Sequence, residues 1–225
     1  MRTTAIFLLL TLNVYITFSQ EKISKIPEIE GWYFRAISGY PASITFEPIV
    51  LFENGTYFRI DEEPIADIDF SESKKNNPNL WGTWKKANGK FILTNEKNKA
   101  KEYDLDKGNW FPAFPFDGSI FLKGKYEKIS GGDFGSGLYA LFKSEIVFLD
   151  EEHFTNSEDS GISSYSSNAW KSSKDSGTYR IDTNTIEFEY NGGKTIRLSF
   201  AIGAKGDNVI DTDMIFLGGK AYVIE

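Results

Sequence analysis

Few side chains of this chain are suited to catalysis, and their types limit the chemistry. There is one histidine, His153, and no cysteine. Disulfides, thiolate nucleophiles and thiolate zinc sites are excluded, and one imidazole cannot build a multi-histidine metal centre within one chain. Two acidic segments, Asp61 to Glu72 and Asp150 to Asp159, offer the oxygen ligands that calcium prefers. An EF-hand loop counted from Asp67 puts Glu72 where glycine is required and Pro78 where the bidentate glutamate belongs, so both segments read as solvated loops. Ser157 to Ser176 holds nine serines near Asp175 and His153. No Gly-x-Ser-x-Gly turn places a nucleophile there, and the stretch reads as a long flexible loop. Sequence spacing gives no support for paired carboxylates of the glycosidase kind. No catalytic residue, metal site or cofactor is expected.

What remains is the chemistry of binding. Beyond residue 20 the chain has 20 lysines but only four arginines, Arg35, Arg59, Arg180 and Arg197, all in segments read as strands. A guanidinium on strands rich in Trp and Tyr stacks on a ring, clamps a ligand carboxylate, or forms a cross-strand ion pair. Arg59 and Arg197 are taken as candidate ligand contacts. Asn109 to Phe116 packs four aromatics and two prolines into one short stretch. Proline cannot donate to a β-ladder, so the stretch is a loop or an edge. Either it is an exposed contact surface, or its side chains fold as a lid over one barrel end. Trp110, Phe111, Phe114 and Phe116 are candidate binding residues, with Trp32, Tyr33 and Trp84 as further aromatic surface.

These groups must be positioned by strands. Runs of alternating, β-branched and aromatic residues recur after residue 20, and no window of about eleven shows a helical apolar period. Ile49–Phe52 and Thr56–Arg59 flank Asn54-Gly55, which supplies the positive φ of a hairpin turn; the same Asn-Gly-Thr is a glycosylation sequon, and the turn reading is preferred. Residues 81–86 and 90–94 flank Asn88-Gly89, and residues 185–190 and 194–200 flank Asn191-Gly192-Gly193. The order also repeats. Gly31-Trp32-Tyr33 returns as Gly124-Lys125-Tyr126, Ile49-Val50 as Ile146-Val147, Gly82-Thr83-Trp84 as Gly177-Thr178-Tyr179, and Phe91 and Leu93 as Ile186 and Phe188. We expect an all-β, antiparallel meander or barrel made of two repeats of about 95 residues, each with roughly six short strands. Closure hides sheet edges, and two tandem barrels are favoured over one wide barrel.

Gly31-Trp32-Tyr33 on the first strand, a phenylalanine-rich strand ending in Asn-Gly, and then Gly82-Thr83-Trp84 resemble the lipocalin-like (calycin-type) barrels of secreted bacterial proteins. The resemblance covers roughly residues 28 to 225; with the repeat and an N-terminal signal, the expected division is a leader at 1–19, one lipocalin-like repeat at 20–122 and a second at 123–225. In that superfamily a Gly-x-Trp on the first strand plugs the barrel floor and an arginine packs over it. Here tryptophan stands at the middle position. Barrels of this class commonly hold small apolar ligands, which the resemblance implies here as an expectation.

The 225 residues are 40% apolar and 16% aromatic, enough for a large core and too apolar for a disordered chain. Arg2, the apolar run from Ala5 to Phe18, and Thr17 and Ser19 at −3 and −1 of a cut before Gln20 form a secretory signal. The run is shorter than the roughly 20 residues that a membrane helix needs. Its removal takes away Arg2 and leaves 24 basic against 32 acidic residues, a formal charge of −8. An acidic face does not neutralise phosphates, so no nucleic-acid partner is expected. The expected protein is a secreted or periplasmic, non-enzymatic β-barrel, with no transmembrane segment after cleavage, that binds a small apolar molecule or glycan. The alternative is a cavity-free module that docks on a protein of the bacterial envelope. Expressed with its leader in a bacterium, the chain should be exported with an intact mass beginning at Gln20; a retained mass beginning at Met1 would refute the signal.

Overall fold

The computed structural model describes residues 26–39, 43–133, 139–163, 168–205 and 209–225. The chain is all-β and antiparallel. Strands β1 (Ile29–Gly39), β2 (Ser43–Phe52), β3 (Thr56–Arg59), β4 (Trp81–Ala87), β5 (Lys90–Asn95), β6 (Ala100–Tyr103) and β7 (Trp110–Ala113) form a seven-stranded sheet in the order β6-β5-β4-β3-β2-β1-β7. Strands β8 (Gly124–Asp133), β9 (Tyr139–Phe148), β10 (His153–Ser163), β11 (Asn168–Asp182), β12 (Thr185–Tyr190), β13 (Thr195–Lys205), β14 (Val209–Leu217) and β15 (Lys220–Ile224) form a closed eight-stranded meander, β8 pairing with both β9 and β15. The expected pair of barrels is thus one barrel and one open sheet, with seven and eight strands in place of about six. β6 and β7 in the first sheet do not pair, and closure needs that last ladder.

The three expected hairpins form. At the first, Gly55 has φ 79° and Asn54 Oδ1 accepts from the Thr56 N–H at 3.0 Å, which is the turn reading of the sequon. Trp84 and Tyr179 occupy corresponding places. The Trp84 indole N–H donates to the Phe52 carbonyl at 2.9 Å and its backbone N–H to Gly55 at 2.8 Å. The Tyr179 hydroxyl donates to the Asp150 carbonyl at 2.9 Å and its backbone N–H to Glu152 at 2.7 Å. Gly82 and Gly177, two residues upstream of each, lie against the backbone carbonyls of Thr94 and Glu189, where a Cβ would collide.

Alternation on the first sheet sorts its two faces. Tyr33, Ile49, Leu51, Tyr57, Phe91, Leu93, Tyr103 and Trp110 pack together on one. Trp110 on one edge strand lies 5.0 Å, ring to ring, from Tyr103 on the other, so this face is the inside of a curl. Trp32, Phe34, Val50, Phe52, Phe58 and Trp81 cover the outside, where they meet Ile65, Ile68 and Phe70 and, from the barrel, Ala201 and Phe216. The ring of Phe34 stacks on that of Phe216. The run Ile49-Val50-Leu51-Phe52 is buried at 0% exposure because both faces of β2 are covered. The barrel has its own core, including Tyr126, Phe148, Phe154, Phe188, Phe200 and Ile215.

Three other expectations are corrected. Residues 157–176, expected as a loop, lie largely in β10 and β11, which pair from His153↔Thr178 to Ser163↔Asn168. Backbone donors and acceptors satisfy that ladder whatever the side chains, so polar serines do not prevent it. One helix, α1 (Phe70–Asn76), occurs where none was expected; Asp69 caps it by accepting from the N–H groups of Ser71 and Glu72, and at seven residues it is too short to show a period. The acids of the first acidic segment are exposed, but the segment is engaged with the barrel. Asp67 accepts from Arg197 at 2.7 Å, Glu62 from Lys220 at 3.0 Å, and the Asp61 carbonyl from the Ser199 hydroxyl at 2.8 Å. No helix among the described residues is long and apolar enough to cross a membrane.

The aromatic stretch is an edge, as its prolines require. β7 pairs with β1, Pro112 opposite Tyr33 and Trp110 opposite Arg35. Trp110 is 0% exposed inside the curl, so Trp110→Ala should lower unfolding free energy in denaturant titration by about 3–5 kcal/mol. A change below about 1 kcal/mol would remove Trp110 from the core.

Candidate functional site

The sequence-predicted binding residues do not converge on one place. Tyr33, Trp84 and Trp110 meet inside the curled sheet, and Arg59 reaches the same face, 3.4 Å from Glu47. Trp32 and Phe111 are on the outside face, in or against the core shared with the barrel. Phe114 bridges to Ile202, its N–H donating to the Ile202 carbonyl and its carbonyl accepting the Ile202 N–H, both at 2.9 Å. Arg197 joins Asp67 and lies 3.4 Å from Glu187. Each of the four arginines is paired with a carboxylate: Arg35 with Glu47 at 2.6 Å and Arg180 with Glu187 at 2.9 Å complete the set.

Phe116 leads to a larger feature. Its N–H donates to Thr183 at 2.8 Å, in the turn between β11 and β12, and from there residues 117–123 cross one end of the barrel. Asp117 turns the chain by accepting from Ser119 N–H at 2.8 Å and Ser119 Oγ at 2.5 Å, bonds that hold its carboxyl below the usual range. Alternation then decides which side chains enter. Ile120 and Leu122 pack on the barrel core, and Phe121 faces outward at 45% exposure.

Between this segment, the β9–β10 turn and strands β11 and β12 lies a groove of about 830 Å³. Phe116, Phe121 and Tyr179 give it aromatic walls; Glu151 and Glu152 come from the β9–β10 turn and Glu187 and Glu189 from β12; Arg180 and the Ser119 and Thr178 side chains add donors. Glu187 is fixed between Arg180 and Arg197, while Glu151, Glu152 and Glu189 are exposed. Tyr179 is 8% exposed, its ring against Phe148. Burial, then Asp150 and Glu151, pushes its phenol up to about 12. His153 stands beside the groove with Nδ1 2.9 Å from Asp150, whose carboxylate also accepts the His153 and Glu152 N–H groups and is held low by these bonds. No three His, Asp or Glu side chains among the described residues form a metal-binding group.

Sequence reasoning missed Phe121, Arg180, Glu187 and Glu189. Arg180 was in view as one of four strand arginines, and Tyr179 as the counterpart of Trp84; Phe121 lies just past the aromatic stretch and carried no signal of its own. Comparison with protein-family models, curated proteins and solved structures returns no match.

The Tyr179 phenol is neutral in the fold and is held there by burial. Stability from that burial is complete below the ordinary tyrosine value of about 10 and is lost as pH rises toward about 12. Urea midpoints measured across this window should fall less steeply for Tyr179→Phe than for the parent protein. Equal slopes would mean that Tyr179 does not titrate with the fold.

Proposed function

We propose that this is an exported, non-enzymatic, lipocalin-like β-barrel protein, built by duplication of one sheet unit, that binds a glycan at the barrel-end groove. The groove carries the reading, because its size suits a short oligosaccharide. An outward Phe121 ring offers an apolar face to a sugar. Its carboxylates, hydroxyls and guanidinium offer the hydrogen bonds that hydroxyl groups need. The number of charged groups on the rim favours a glycan over a purely apolar molecule. A general acid needs a carboxyl kept protonated by an apolar enclosure. Exposure of three of the glutamates and the two arginines on the fourth favour binding over hydrolysis. Duplication is supported by the matching hydrogen bonds of Trp84 and Tyr179, and a lipocalin-like class by the closed eight-stranded meander.

The second reading is an envelope interaction module. It is favoured by the large rings packed in the barrel core and by the apolar Leu141, Phe142 and Val223, which stand exposed on β9 and β15. A glycan array followed by calorimetry separates the two. Phe121→Ala should weaken glycan binding about 10- to 100-fold, the value of burying one phenylalanine at about 1.5–3 kcal/mol, with thermal stability unchanged. Absence of any glycan ligand, together with partner capture abolished by Phe142→Ser, would replace the first reading with the second.

A further inference from the structure

The inside of the curled sheet holds a second and chemically opposite site. Because β6 and β7 do not pair, the curl stays open, and a pocket of about 280 Å³ lies on its inner side between β1, β3, β5 and β6. Arg35 lies in its wall with a side chain only 18% exposed. Its Nε and Nη2 both donate to the same oxygen of Glu47, Oε2, at 2.8 and 2.6 Å, and Arg59 takes the other at 3.4 Å. One carboxylate therefore serves two guanidiniums. A guanidinium has five N–H donors, so Arg35 keeps donors beyond those spent on Glu47. The phenol of Tyr57 stands beside it and also lines the pocket. Burial raises the pKa of Tyr57, which keeps its hydroxyl protonated and able to donate. Lys99 and Lys101 complete the rim, with Lys101 Nζ 5.4 Å above the Tyr103 ring.

The local charge is unusual for this chain. Arg35, Arg59, Lys99 and Lys101 face the carboxylates of Glu47 and Glu96, an excess of positive charge in a protein whose net charge is −7. A cation excess in a walled concavity, with a planar guanidinium, two ammonium groups and a phenol as donors, matches a compact anion with several acceptor oxygens. We infer that this pocket binds a small dianion, a phosphoryl group carried free or on a small organic body, independently of the barrel-end groove. Arg35 takes two of its oxygens, and Lys99 and Lys101 supply the balancing charge at the mouth.

The test uses the full chain and two probes, inorganic phosphate and phenyl phosphate, in calorimetric titrations at low salt with amide NMR as the second readout. Both probes should bind and shift the amide signals of Lys99 to Tyr103. Lys99→Ala with Lys101→Ala, a change of two exposed side chains, should weaken both at least tenfold while leaving the melting temperature in place. Phe121→Ala should leave them unchanged. Arg35→Lys should abolish binding if it folds, and the lysine double variant decides the matter if it does not. Tighter binding of phenyl phosphate assigns the ligand an organic body, and equal binding assigns the free anion. No saturable binding by the parent protein, or the same affinity in the lysine double variant, overturns the inference.

Discussion

The structure depends on the burial of both faces of β2. Four consecutive apolar residues, Ile49 to Phe52, cannot have one face in water without exposing two large side chains, at about 1.5–3 kcal/mol each. One face is covered by curling the sheet until Trp110 and Tyr103 meet across it. The other must be covered by something outside the sheet, and the covering comes from Ile65, Ile68, Phe70 and the barrel residues Ala201 and Phe216. The first sheet thus borrows part of its core from the second. The polar ties between them, Arg197 to Asp67 and Lys220 to Glu62, are exposed pairs. Exposed pairs of this kind contribute little energy beside the shared apolar core.

Much of this was legible in the sequence where the cause is local. A turn that needs positive φ selects Asn-Gly, and a strand buried on both faces selects an unbroken apolar run, so the hairpins and β2 could be read directly. The edge position of β7 followed from Pro112. Where the cause is not local, reading failed. β10 and β11 carry serines, acids and lysines on much of both faces, a composition indistinguishable from loop, yet they form a long ladder because β9 and β12 flank them with free backbone partners. Closure of the barrel rests on Val223↔Glu127 and Ile224↔Tyr126, a pairing of residues about 96 positions apart that follows no compositional rule.

The candidate sites were less legible, for a related reason. Aromatic residues were singled out because they carry the largest contact area, but area drives a side chain into the core as strongly as onto a ligand. Trp32 and Trp110 went to the core. Phe121 remains outside because Ile120 and Leu122, its neighbours of opposite phase, are anchored in the barrel. Its availability is a consequence of alternation across three residues, visible only once the crossing segment is in place.

Each sheet also uses one glutamate to hold two arginines, and the outcome differs by face. Glu47 and its arginines lie on the inner face of the curl with Ile49 and Leu51, their side chains 18–31% exposed. Glu187 lies between the inward Ile186 and Phe188 and so projects from the outer face, half-buried beneath the exposed Arg180 and Arg197 and near further acids. In a strand, a shift of one residue exchanges the two faces. The same three-residue device therefore lies on the inner face of the open sheet beside Lys99 and Lys101, and on the outer face of the barrel beside Glu151, Glu152 and Glu189, so strand phase decides the face and the neighbouring side chains decide the local charge.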